Sequence, residues 1–334
     1  MKKFDVYALG NALVDIEYHV EPSQLVSMGI QKGIMTLIDE HQENHLINYL
    51  GDSHEKMACG GSAANTLIAI AQMGGQCHFS CRVAQDMTGQ FFMQDLKKAG
   101  IDTDSDHKMD ASGVSGKCLV FVTPDADRTM NTFLGVSAEL DASFVSEQAI
   151  KQSEYIYLEG YLVTADNSRQ AVLLAREYAR QHSVKIALTL SDPSMMMYFR
   201  EGMLEMIGDG VDLLFANEEE AFALCESQQL DAVVEKMKSY AKTFAITRGK
   251  HGAVLYDGTS VITVQPNPVT AIDTLGAGDM FAGAFLYGLT HAMDFQQAGD
   301  FASMASAEVV TKYGPRLRTQ QTLKLLKEFK AGNY

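Results

Sequence analysis

Apolar residues along the chain gather in short runs, which alternate with longer stretches where they recur at helical spacing. Phe4–Leu9, Phe79–Val83, Tyr155–Leu158, Lys185–Leu190, Leu213–Ala216 and Thr243–Thr247 read as buried strands, with Gly33–Ile38 as a further β candidate. Helices are expected over Glu40–Leu50, over Thr66–Met73 with a stop at Gly74-Gly75, and from the capping residue Asp86 to Gly100. Three more are expected over 279–290, 295–312 and 319–329. Lys117–Val122 and Arg128–Leu134 flank the turn Pro124-Asp125-Ala126-Asp127, and Val254–Tyr256 and Val261–Val264 flank Asp257-Gly258, so both pairs read as hairpins.

Strand and helix alternate over most of the chain, which predicts an α/β fold with a mostly parallel sheet covered by helices on both faces. The hairpin at 117–134 does not fit that scheme and is expected as a flap over the sheet's edge. No repeat, low-complexity tract or linker breaks the sequence, so a single domain is expected over 1–334.

Of the 334 residues 46% are apolar and 21% charged, which excludes a disordered chain. The net charge of −15 argues against nucleic acid and anionic membrane as partners, since a phosphate surface rewards the opposite sign. A small anionic ligand needs only local positive potential and stays open. Cys59, Cys77, Cys81, Cys118 and Cys225 are odd in number and contain no Cys-x-x-Cys, which suits reduced thiols in a cytoplasm. Cys77, His78 and Cys81 match no common zinc spacing and read as strand packing. The first residues, Met1-Lys2-Lys3-Phe4-Asp5, do not resemble a secretory leader, and no window is apolar enough to span a membrane.

Asp273-Thr274-Leu275-Gly276-Ala277-Gly278-Asp279 runs into an apolar helix. Glycines at a helix N-terminus expose amide donors at the positive end of the dipole, an anion site. A carboxylate there suits a different job, accepting the proton of a hydroxyl that attacks a phosphoryl group. The alternative is a tight turn in which Asp279 merely caps the helix. Gly60-Gly61-Ser62-Ala63-Ala64-Asn65 opens another helix, with Asn65 placed to bind hydroxyls or, alternatively, small residues simply packing. Asn11 and Asp15 follow the first strand, where α/β sheets place ligands. Asn217-Glu218-Glu219-Glu220 suits either a magnesium–phosphate site or a capped helix start. Thr247-Arg248-Gly249-Lys250-His251-Gly252 suits a nucleotide wall or a plain turn. No Gly-x-x-x-x-Gly-Lys-Ser/Thr, protein-kinase triplet or dinucleotide glycine fingerprint occurs, so any phosphoryl transfer must use another cradle.

In order and spacing, the glycine pair at 60–65, Asn217-x-x-Glu220 and the stretch 273–279 resemble the three signatures of the ribokinase-like, PfkB-type carbohydrate and nucleoside kinases. The resemblance implies a ribokinase-like three-layer α/β/α fold with a small β-sheet lid, contributed from about 12–37 and 108–134. It implies a kinase using ATP and magnesium, with Asp279 as base and Gly276, Ala277, Gly278 and Arg128 stabilising the transferred phosphoryl group. Asn11, Asp15, Gly60, Gly61, Asn65, Leu134 and Tyr161 would hold the substrate. Asn217, Thr247, Gly249 and Gly252 would hold ATP, and Glu220 would serve magnesium through water. Within the family, Gly10–Asp15, Arg128-Thr129-Met130 and Gly160-Tyr161-Leu162 resemble adenosine kinases, whose Gly-Phe-Phe aromatic stacks on adenine. That makes adenosine the expected acceptor and a sugar the alternative, with an inactive ligand-binding relative as a different class. Two departures stand out. Ala84–Gly89 lacks the first glycine of the usual Gly-x-Asp-x-x-Gly, and Lys312–Arg316 departs from the pattern that helps bind potassium, leaving potassium open. A monomer or a lid-mediated homodimer is implied.

Overall fold

The computed structural model describes residues 2–51, 56–125 and 128–332. Its strands, in chain order, are β1 (Phe4–Leu9), β2 (Leu13–His19), β3 (Met35–Leu37), β4 (Lys56–Cys59), β5 (Cys77–Ser80), β6 (Ser115–Val122) and β7 (Arg128–Gly135). They continue as β8 (Ser153–Glu159), β9 (Lys185–Thr189), β10 (Val211–Asn217), β11 (Ala241–Thr247), β12 (Ala253–Tyr256) and β13 (Val261–Val264).

Eight of these form one sheet in the order β13-β12-β11-β10-β9-β8-β1-β5. It is parallel from β11 to β5, and the β11–β12–β13 edge is antiparallel, as the Asp257-Gly258 hairpin requires. Two-sided burial is visible in β1, where Val6 and Ala8 enter one core and Tyr7 and Leu9 the other. Helices Ser62–Gln72, Ala277–Thr290, Phe295–Val309 and Thr319–Lys330 supply the first core, and Asp166–Gln181, Arg200–Ile207, Glu218–Cys225 and Leu230–Met237 the second. Asp86 caps its helix as expected, its carboxylate accepting the Gly89 amide at 2.7 Å. Among the described residues no helix is long and apolar enough to cross a membrane.

The chain runs from β1 outward to β5 and later returns to β1's other side as β8. The crevice between the carboxyl ends of β1 and β8 is therefore a topological switch point, where such sheets bind ligands.

The hairpin expected as a flap is the centre of a second sheet, ordered β3-β7-β6-β2-β4. β6 and β7 pair antiparallel, while β2–β6 and β3–β7 are parallel. Of the expected turn, Ala126 and Asp127 lie outside the described residues. Several boundaries also differ from the pattern. β5 lies at Cys77–Ser80, because pairing with β1 runs from Val6–Cys77 to Leu9–Ser80 and takes in the polar His78, which stacks on Tyr7 at 5.6 Å. The two glycine-led helices start earlier than their apolar cores, at Ser62 and Ala277. All five cysteines are buried free thiols.

Candidate functional site

A cavity of about 830 Å³ opens at the switch point, between the carboxyl ends of the large sheet and the inner face of the small one. Asn11, Asp15, Gly61, Asn65, Arg128, Leu134, Tyr161, Asn217, Glu220, Thr247, Gly249 and the stretch Asp273–Asp279 all line it. Of the residues expected in a site, Gly60 and Gly252 do not. Gly252 is left-handed (φ 78°) and packs on the Val264 carbonyl at the β-hairpin.

Gly60 acts by what it lacks, since a Cβ there would overlap the Asp15 carboxylate. Gly61 adopts φ 85°, and a Cβ on it would lie 2.5 Å from the Asn11 carbonyl oxygen. The pair thus lets β2, the loop after β1 and the start of helix Ser62–Gln72 close on one another. Glu159, at the end of β8, ties the same parts together. Its Oε1 accepts from Asn11 Nδ2 at 3.0 Å and its Oε2 from the Ala63 amide at 2.8 Å. Burial raises Glu159 to about 7 against those hydrogen bonds. The sequence reading missed this residue, whose only local signal is an acid ending an apolar run.

Asp279 stands in the first turn of helix Ala277–Thr290. Its Oδ1 accepts from Ser62 Oγ at 2.6 Å and its Oδ2 from Asn65 Nδ2 at 3.0 Å. Burial raises its pKa, and those two hydrogen bonds and the charge of Arg316 pull it back. Neither donor belongs to Asp279's own helix. Beside it, Gly276 is left-handed (φ 74°) and abuts Pro315. The amides of Gly278 and Asp279, in the first helical turn, have no acceptor within the helix and are free for an anion.

Asp273 braces this turn, accepting the Leu275 amide at 3.0 Å and the Gly314 amide at 2.6 Å. Arg128 reaches it from β7, at 2.9 Å, and also lies 3.4 Å from Glu17. Tyr161 lines the cavity, but its hydroxyl donates to the Ser191 carbonyl at 3.4 Å, and Ser191 holds a left-handed φ of 71°. Asn217 and Glu220 form a capping box: the Asn217 amide and Nδ2 donate to Glu220 at 2.9 and 2.7 Å. Both carboxylate oxygens are thus engaged, so these residues fit a magnesium ion held through water rather than directly. Burial raises Glu220 to about 7.

Burial also raises Asp15 to about 7, a shift opposed by the charges of Arg316 and Arg128. The folded state therefore binds this proton more tightly than the unfolded chain. Its stabilising contribution is complete below the ordinary carboxylate range and is lost as pH rises through about 7. Asp15→Asn is expected to raise the melting temperature at pH 8 by about 2–4 °C and to flatten its fall between pH 5 and 8. Melting curves of both proteins across that range check it, and parallel slopes would place the titration elsewhere.

The chain matches the pfkB family carbohydrate kinase model over residues 35–322. It is 28% identical over 265 residues to a 5-dehydro-2-deoxygluconokinase of Geobacillus thermodenitrificans, covering 76% of this chain and 79% of that one. The structure superposes on a probable sugar kinase of Rhizobium etli with a TM-score of 0.91 at 31% identity, covering 100% of both chains. It superposes on the adenosine kinase of Sinorhizobium meliloti with a TM-score of 0.89 at 33% identity, covering 98% and 99%. The three-layer arrangement with its second sheet is thus a ribokinase-like fold. With the glycine cradle, its carboxylate and this match in place, the chain belongs to the PfkB family of carbohydrate kinases, phosphotransferases with an alcohol group as acceptor.

Proposed function

We propose that the protein transfers the γ-phosphoryl group of ATP to a hydroxyl of a small sugar held beneath the second sheet. One observation carries the reading: the doubly hydrogen-bonded carboxylate of Asp279 lies next to free helix-terminal amides in one cavity. Asn11, Asp15 and Asn65 hold the acceptor's hydroxyls. The attacking hydroxyl loses its proton to Asp279 as its oxygen bonds to phosphorus, and the bond to the bridging oxygen of ADP breaks. The amides of Gly278 and Asp279, with Gly276 and Ala277 shaping the turn, stabilise charge on the transferring group. Arg128 leaves Asp273 to meet the same charge. Thr247 and Gly249 flank the nucleotide. Glu220 would hold magnesium through water, where the ion would supply charge neutralisation for the phosphates. The second sheet acts as a lid that keeps water from the phosphoryl group.

A sugar acceptor now stands ahead of the adenosine implied by the sequence resemblance. 5-Dehydro-2-deoxygluconokinases recur among the relatives. A nucleoside remains the second reading on a specific observation. The cavity's ceiling is apolar, built from Leu13, Met35, Leu37, Val120, Met130 and Leu134, which suits a purine face better than a polyol. ADP release from ATP, measured with 5-dehydro-2-deoxygluconate, ribose, fructose and adenosine, is expected to give the highest kcat/KM with one of the sugars. Adenosine ahead of all of them overturns the sugar reading, and no turnover with any acceptor counts against the kinase assignment itself.

A further inference from the structure

The hydrogen-bond chain that ends on Asp279 begins on a residue outside the cavity lining. Arg316 lies in the turn after helix Phe295–Val309, fixed by Gly314 on Asp273 and by Pro315 against Gly276. Its Nε donates to Asn65 Oδ1 at 2.6 Å and its Nη1 to Asp95 Oδ2 at 2.5 Å. A guanidinium only donates, so it admits only the oxygen end of the Asn65 amide. The amine end must then face the other way, where it donates to Asp279 Oδ2 at 3.0 Å. With Asn65 flipped, donor would face donor and its oxygen would face the carboxylate. The geometry allows one orientation.

We infer that Arg316 is a positioning residue for the general base: through Asn65 it fixes the direction of the Asp279 carboxylate. The inference rests on the general-base reading above. Other groups that sense Asp279 are Asp15, Glu159, Tyr157 and Tyr161, each made harder to ionise by it, while Ser62 and Asn65 donate to it. Arg316 is the cation acting in the opposite sense on Asp279. Arg128 acts on the neighbouring Asp15.

Arg316→Met tests this. Turnover is expected to fall about 10–100-fold, the scale of a misplaced catalytic group, with KM for both substrates nearly unchanged. The acid limb of the kcat–pH profile is expected to move up by about one unit. The Asp279 carboxyl, followed in the free protein by 13C NMR and assigned against Asp279→Asn, should move with it. Arg316→Lys restores the charge but not the two-pronged donor, so it should return the acid limb while kcat stays several-fold low. A lower melting temperature with the limb and the carboxyl signal unmoved makes Arg316 a purely structural ion pair and overturns the inference. If Arg316→Met does not fold, Arg316→Lys decides, and wild-type kcat there overturns it equally. Turnover retained by Asp279→Asn removes the base reading and this inference together, whereas a dead Asp279→Asn beside a normal Arg316→Met removes the inference alone.

Discussion

Replacing Asp279 with asparagine is expected to lower turnover by about two to four orders of magnitude, the usual range for loss of a general base. Asparagine is nearly isosteric, so helix Ala277–Thr290 and the neighbouring amides should keep their places. KM for ATP should accordingly stay close to wild type. One side effect is built in, because an amide presents an NH₂ group to either Ser62 or Asn65, both of which donate in the native site. The melting temperature is therefore expected to change little, since removing a buried charge offsets the lost hydrogen bond. Single-turnover measurement of phosphoryl transfer at saturating substrate isolates the chemical step. A transfer rate within threefold of wild type would mean that some other group takes the proton.

The second large effect is expected from Gly276→Ala. Gly276 holds φ 74°, a conformation costly for any residue with a Cβ, and that Cβ would run into the Pro315 backbone. The turn must then shift, carrying with it the Gly278 and Asp279 amides. Loss of aimed donors costs about 10²–10³-fold in kcat in comparable oxyanion sites. Here the loss should come with weaker ATP binding, because the same amides meet the ground-state phosphate. A Cβ at Gly278 meets no protein atom within 4 Å, so Gly278→Ala leaves the turn in place and reports on crowding at the cavity wall instead. Wild-type kcat and ATP binding in Gly276→Ala would remove the cradle from the mechanism. The contrast with Asp279→Asn lies in KM, which one variant changes and the other leaves alone.

Much of this site was legible because its local chemistry is written locally. Gly276, Gly278 and Asp279 fall within a single turn, and Asn217 and Glu220 cap one another three residues apart. What stayed hidden depends on residues far apart in sequence. Glu159 is a buried acid whose partners, Asn11 and Ala63, lie 148 and 96 positions away, and Arg316 meets Asn65 across 251. No spacing rule reaches that far. In the fold, the parallel strands of the large sheet announced themselves as apolar runs. β4 did not, being Lys56–Cys59 with little alternation, and β5 was misplaced because His78 is polar yet buried. The second sheet joins β2 to β6 and β3 to β7 in parallel across some hundred residues, an arrangement that hairpin signals cannot suggest. Acceptor choice was hidden for a different reason. Leu13, Val120 and Leu134 are ordinary strand residues, and only their gathering over one cavity gives them meaning.

The bonds from the 310–316 stretch to the cradle bear on how the enzyme is born. Ile272 and Asp273 donate their amides to the Val310 carbonyl, Gly314 donates to Asp273, and Arg316 reaches back to Asn65. A ribosome delivers residues in order, so β1, β2 and the helix Ser62–Gln72 emerge long before the stretch that fastens Asp279 among them. Such non-local closure is the slow part of folding, since loop entropy must be overcome before the contacts reward it. A nascent chain that has passed residue 279 but not 316 holds every reacting group and still lacks the turn that aligns them. Competence to transfer phosphate should therefore arrive late and abruptly during synthesis, after most of the sheet has already formed.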